Sequence, residues 1–197
     1  MLELIRAHIS RSIATKEALL AGDLSQVTKA GNLIATAMQN GHKLLLAGNG
    51  GSAGDAQHIA TEFTIRYKAQ NVRPGLPALA LTTDTSALTA CGNDFGFERI
   101  FARQLEALGQ EGDVFLMIST SGDSANLLQA IPVALEKGVE MILLSGQTGG
   151  RIRAEYADKL SACILVPSQE TARIQECHIM VGQILCAIVE KILFNFD

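Results

Sequence analysis

Basic residues are in the minority in this chain: 16 Lys and Arg stand against 20 Asp and Glu, for a formal net charge of -4 and a pI of about 5.6. Without a basic field, affinity for a nucleic-acid backbone would need a local patch, so no nucleic-acid partner is expected. Cysteine is sparse too. The four present, Cys91, Cys163, Cys177 and Cys186, show no C-x-x-C spacing, and in a reducing compartment they read as small buried hydrophobes, not as a disulfide framework or a thiolate zinc cluster. Charges interrupt the opening MLELIRAHISRSIATKEALL every few residues. It therefore lacks the continuous apolar run of a signal peptide or membrane span, and a cytoplasmic protein without membrane partners is expected. No repeat, low-complexity tract or linker divides the 197 residues, so residues 1–197 read as a single unit.

What is present is apolar surface, 48% of residues, enough to offset the entropy of ordering a folded domain. Leu2, Ile5, Ile9, Ile13, Leu19 and Leu20 recur at helical intervals, and a second helical stretch covers 24–39; together they predict an amphipathic pair. Five short apolar runs follow, at 43–47, 78–81, 114–118, 141–144 and 162–166, bounded by Gly, Ser and Asp. Runs so short and so uniformly apolar predict buried parallel strands. Helices are predicted between them at 52–67, 84–92, 97–108, 123–137 and 149–156, with a long last one over 170–193. The fold class is α/β: a parallel five-stranded sheet between two layers of helices, with strand C-terminal loops as the default site. The last helix is apolar around most of its circumference, which calls for cover on more than one side, from a second subunit or from the chain's own core.

Four constellations could carry chemistry. In Gly48-Asn49-Gly50-Gly51-Ser52 a strand opens through glycines into a helix capped by Ser52, which suits close approach of a phosphate or sugar, though glycine turns also serve structure alone. Ser119, Thr120, Ser121 and Ser124 place four hydroxyls in six residues after another strand, more than capping needs, with Asp123 bringing an anion nearby. His58 and Glu62, four apart on one helix, can meet one metal ion or act as base and polarising group; a solvated helix face is the plainer reading. In the last helix Gln175 and Gln183 lie about 80° apart around the axis, whereas His178 looks away from Gln183 by about 140°. Amides on an apolar helix need partners, across helices or at a subunit contact.

Taken together, GNGGSAGDAQHIATEF (48–63), LPALALTTDTSALTACGNDFGFE (76–98), GDVFLMISTSGDSANLLQAI (112–131) and RIQECHIMVGQIL (173–185) resemble the sugar isomerase (SIS) fold, and within it the phosphoheptose isomerase family, along the whole chain. The resemblance implies a flavodoxin-like three-layer α/β/α sandwich whose helices at 1–40 serve oligomerisation. It implies interconversion of sedoheptulose 7-phosphate and D-glycero-D-manno-heptose 7-phosphate through an enediolate, on the route to lipopolysaccharide heptose. It also implies a homotetramer with sites at subunit interfaces and one zinc per subunit. Carried over by motif position, Asn49, Gly50, Gly51, Ser52, Glu62, Arg66, Asn93, Asp94, Ser119, Thr120, Ser121, Ser124 and Gln175 would contact substrate. His58, Glu62, Gln175 and Gln183 would hold metal, and Glu62 with Gln183 would occupy the catalytic positions.

One departure stands out: the family carries a histidine eight residues after the final-helix glutamine, where this sequence has Gln183. An amide does not titrate near neutral pH and is a poorer zinc ligand than imidazole. Weakened activity and weakened zinc binding are the expectation, whether Gln183 arose naturally or was introduced. Two other readings stay open: a non-catalytic SIS-fold tetramer that binds the replication initiator protein, and an isomerase or lyase acting on a different sugar phosphate.

Overall fold

A computed structural model describes residues 1–196. An opening helical pair, α1 (Leu2–Ala21) and α2 (Ser25–Gln39), is followed by β1 (Leu44–Gly48), α3 (Gly51–Thr64), β2 (Ala78–Ala80), α4 (Thr85–Asp94) and α5 (Ile100–Leu108). Then come β3 (Val114–Ser119), α6 (Ala125–Glu136), β4 (Glu140–Gly146), α7 (Gly150–Tyr156), β5 (Ala162–Val166) and α8 (Thr171–Phe194). The five strands form one sheet in the order β2-β1-β3-β4-β5, every pairing parallel. This is the doubly wound α/β sandwich expected from the alternation of short apolar runs and helices.

The three layers follow from the pleat. Successive side chains of a strand point to opposite faces, so Leu44 and Leu46 of β1 and Leu116 and Ile118 of β3 join the core that also holds residues of α2, α3 and α8. Leu45, Ala47, Phe115 and Met117 join the other, packed with α5 and α6. Both strands are buried along their whole length, which is why they carry no polar alternation.

The N-terminal helical pair forms as expected, with most of the apolar stripe of α1 left uncovered. α1 buries Leu19 alone, and Leu2, Ile5, Ile9 and Ile13 are at least half exposed, at 60%, 50%, 55% and 51%. This helix packs on α8, tethered where the buried Arg173 guanidinium donates to the His8 carbonyl at 2.6 Å. By length and composition α8 is, among the described residues, the one helix that could cross a membrane; 44% of its apolar stretch is buried inside this fold. Ile174, Cys177, Val181, Leu185 and Val189 face the chain's own core, while Ile184 and Ile192 stay 40% and 46% exposed. Between α1, α2 and α8 runs an apolar groove of about 480 Å³, lined by Ile13, Leu20, Leu24, Met180, Ile184 and Ile188 among others. The cysteines are free; Cys91, Cys177 and Cys186 are buried and Cys163 half-buried, and burial pushes the thiols of the last three positions up.

Candidate functional site

Strand order reverses direction between β1 and β3, since the chain continues from β1 outward to β2 and only then returns to β3. At such a switch point the loops leaving neighbouring strands diverge and open a crevice. The loop after β1 is the glycine turn 48–51, and the loop after β3 is the hydroxyl turn 119–124, so two of the four constellations meet there. A reciprocal amide pair binds them: Asn49 donates to the Asn126 oxygen at 3.0 Å and Asn126 donates back at 2.8 Å.

Both turns open into a helix without a side-chain cap. α3 starts at Gly51, with Gly50 at φ 55 in the capping position and no side chain capping it. Ser52 is therefore not the cap but a buried residue of the first turn. The Ser52 amide donates to the Asn49 carbonyl, and those of Ala53 and Gly54 make the first intrahelical bonds to the Gly50 carbonyl. At α6 the first intrahelical bonds run from Leu127 and Leu128 to the Ser124 carbonyl, again with no side-chain cap. The partial positive charge of the helix end is thus directed at the turn.

The hydroxyl turn is held tightly. Ser119 Oγ accepts from the Gly122 amide at 3.0 Å and lies 3.1 Å from Ser124 Oγ. Ser121 Oγ accepts from the Asp123 amide at 3.1 Å, and the buried Ser145 hydroxyl donates to the Ser119 carbonyl at 2.6 Å. Gly122 sits at φ 73, and a Cβ there would come within 2.0 Å of the Gly149 carbonyl oxygen, so both backbone conformation and space demand glycine. The Asp123 carboxylate accepts from the Arg151 amide at the start of α7 at 2.8 Å and still lines a cavity beside the turn. Cavities flank the turn, one of about 240 Å³ lined by Thr120, Ser121, Gln147, Thr148 and Ser168 among others, the other of about 380 Å³ lined by Asn49, Gly50, Phe97, Ser124 and Asn126 among others.

His58 and Glu62 lie one turn apart on α3, with Nε2 and Oε1 3.0 Å from each other. Glu62 is the more sheltered, its side chain 16% exposed against 53% for His58. One turn before His58, Asp55 is half-buried with one carboxylate oxygen buried and unpartnered. Burial pushes its pKa up, against the pull of His58. α8 runs alongside, and the approach is close at two glycines: a Cβ on Gly51 would meet the Gln175 amide nitrogen at 2.5 Å, and one on Gly182 would meet Ile59 Cδ1 at 2.3 Å. Gln175 and Gln183 are both half-buried, whereas His178 is fully buried. Arg66 and the Asn93–Asp94 pair are exposed. Arg66 donates to the Ala69 carbonyl at 3.3 Å and Asn93 to Asp94 at 2.8 Å; among the described residues none of the three bonds to the two turns.

Sequence reasoning missed Asn126, Gln147, Thr148 and Ser168. The last three stand just past the ends of β4 and β5, in the loops where the fold class places ligands, and that was the available signal. Among the described residues no three His, Cys, Asp or Glu side chains gather as a metal would need. Of the four residues expected to bind zinc, only His58 and Glu62 are strong donors; the other two are amides, which zinc rarely selects. The donor set does not fit a tightly held zinc.

A doubly wound SIS-type sandwich with a hydroxyl-rich turn at its switch point defines a class of sugar-phosphate proteins, and the comparisons place the chain within it. The SIS domain family model matches residues 8–146. The phosphoheptose isomerase of Aneurinibacillus thermoaerophilus is 52% identical over 197 residues, spanning 99% of this chain and 96% of that protein. The solved phosphoheptose isomerase of Neisseria gonorrhoeae superposes with a TM-score of 0.89 at 42% identity, covering 96% of this chain and 98% of that one. That of Francisella tularensis superposes with a TM-score of 0.91 at 36% identity, over 96% and 98%. The chain belongs to the SIS-domain phosphoheptose isomerase family.

Proposed function

We propose that this protein is an aldose–ketose isomerase that interconverts sedoheptulose 7-phosphate and D-glycero-D-manno-heptose 7-phosphate in the cytoplasm, on the route to lipopolysaccharide heptose. The observation that carries the reading is the sheltered Glu62 carboxylate, paired with His58 and set on the helix that leaves the switch point. The relatives at 52% and 42% identity bear the name of this activity.

Isomerisation moves one proton between C1 and C2 of the sugar and one between the two oxygens, through an enediolate. Glu62 takes the proton from one carbon and returns it to the other, with His58 fixing the orientation of its carboxylate. The amides of Gln175 and Gln183 donate to the oxyanion that develops beside them. The ester end of the substrate is gripped by Ser119, Thr120, Ser121 and Ser124 together with the start of α6, a neutral donor set that needs no lysine. Asn49, Gly50, Gly51 and Ser52 line the sugar side, and Arg66, Asn93 and Asp94, exposed in the single chain, act across a subunit contact. Zinc would add polarisation of the carbonyl where it is bound; in this chain its occupancy is low, because imidazole is replaced by the Gln183 amide.

The subunit contact is that of a homotetramer. The exposed isoleucine stripe of α1 and the apolar groove against α8 supply surface for other subunits to cover.

The test is turnover of sedoheptulose 7-phosphate by the given chain and by its Gln183→His variant, each with and without added zinc. Weak turnover in the first and a large gain in the second is the expected result. No turnover in either defeats the enzymatic reading and favours a tetrameric scaffold for another protein.

A further inference from the structure

Behind Glu62 lies a buried network that the reaction as derived does not use. The Arg73 side chain is 0% exposed and that of Glu190 2%, with Arg73 Nε donating to Glu190 Oε1 at 2.7 Å. The other Glu190 oxygen accepts from the Asn71 amide at 2.7 Å. The remaining Arg73 donors go to backbone: Nη2 to the Glu62 carbonyl at 2.7 Å, and Nη1 to the carbonyls of Phe63 at 2.8 Å and Pro74 at 3.0 Å. The loop that carries Arg73 is pressed onto the same helix end. The Leu76 amide also donates to the Phe63 carbonyl, at 3.0 Å, and a Cβ on Gly75 would come within 2.7 Å of the Thr64 carbonyl oxygen.

The carbonyls of Glu62 and Phe63 belong to the last turn of α3, where no intrahelical donor reaches them. Water or a glycine cap would satisfy such a terminus. Burying a full guanidinium and a carboxylate to do so is costly and not required for capping. What the charged pair adds is a fixed distance: Glu190 belongs to α8, the helix of Gln175 and Gln183, and Arg73 fastens that helix to the backbone of Glu62 itself.

On the reading that Glu62 carries the proton, we propose that Arg73, backed by Glu190, is a positioning residue of the reaction, holding the Glu62 carboxylate in register with the amides of α8. Arg73 touches no reacting atom. Its planar fork reaches one carboxylate and three carbonyls at once, which a lysine ammonium cannot do.

The experiment compares Arg73→Lys and Glu190→Gln with the parent, all in the full-length Gln183→His chain. It reads kcat and KM for sedoheptulose 7-phosphate, the thermal midpoint, and crystal structures. Displacement of a reacting group by about 1 Å can lower rate about a hundredfold, so Arg73→Lys is expected to lose kcat on that scale while KM stays near the parent value and the protein remains folded. Glu190→Gln, which keeps the hydrogen-bonding shape, is expected to fall between the two. Unchanged kcat in Arg73→Lys, or failure of both variants to fold, overturns the positioning role. If the parent itself shows no turnover, the assignment of Glu62 fails separately. The crystal structures then decide the inference: a His58–Glu62 contact unchanged in Arg73→Lys overturns it, and a displaced Glu62 carboxylate supports it.

Discussion

Asn49 and Asn126, 77 positions apart, exchange amide hydrogen bonds in both directions and so lock the glycine turn after β1 to the first turn of α6. Each amide satisfies the other at the floor of the crevice, with Asn126 only 3% exposed. Asn126→Ala would leave the Asn49 amide half-paired in a sheltered site, a loss of about 1–3 kcal/mol in unfolding free energy. The freed glycine turn should raise KM more than it lowers kcat. Denaturant unfolding and steady-state kinetics on the same preparation check both halves; a KM that does not move would detach this pair from substrate binding.

Glu62→Gln preserves size and hydrogen bonding but cannot carry a proton. Loss of a general base lowers rate by about 10²–10⁴-fold, and turnover should fall on that scale while light scattering reports the same assembly as the parent. Retained turnover would transfer the proton to another group.

Gln183→His should change metal content as well as rate. After dialysis against metal-free buffer, the parent is expected to hold little zinc and the variant about one per subunit, since imidazole supplies the third strong donor that catalytic zinc sites use. Equal zinc in both, read by elemental analysis, would contradict the weak-donor assignment of Gln183.

The hydroxyl turn is expected to respond to inorganic phosphate, which should compete with substrate. Ser121 is the exposed member, its hydroxyl accepting only from the neighbouring Asp123 amide, so Ser121→Ala removes a donor to the ester with little cost to the fold. One hydrogen bond to a charged group contributes about 1.5–3 kcal/mol; KM and the phosphate inhibition constant should therefore rise together by at least about tenfold. A rise in one without the other would separate the phosphate from this turn.

His178 makes stability depend on pH. Burial lowers its pKa from 6.5 to about 4, the Ser145 backbone pulling the other way, so the folded protein holds it neutral where the unfolded chain would protonate it. Its contribution is fully present above pH 6.5 and is lost as pH falls from 6.5 to about 4, at about 1.4 kcal/mol per pH unit within that window. Replacing His178 with Leu should flatten this part of the stability profile, as measured by urea unfolding between pH 7 and pH 4. An unchanged profile would place the acid sensitivity elsewhere.

Periodicity made the strands and helices legible to within a few residues, because a buried parallel strand and an amphipathic helix each leave a local signature in apolar spacing. The runs at Leu44–Gly48 and Val114–Ser119 could hardly be read otherwise. The i,i+4 spacing likewise put His58 and Glu62 on one helix face, although a solvated face was the plainer reading of that pair. The glycine turn shows where this stops. Its letters promised a helix start capped by Ser52, but the capping position falls to Gly50 at φ 55 and Ser52 is buried in the first turn. That choice depends on dihedral angles that the letters only permit.

What the sequence determined by itself was the order and kind of the elements, the pair on α3 and the departure at Gln183, all of which depend on neighbours within a few positions along the chain. What only the tertiary structure decided was the company each element keeps: Asn126 beneath Asn49, Arg73 and Glu190 behind Glu62, and a first helix whose isoleucines remain uncovered. Those contacts join residues from separate strands and helices, and no local pattern encodes them, because they arise only when the sheet order brings distant loops to one edge.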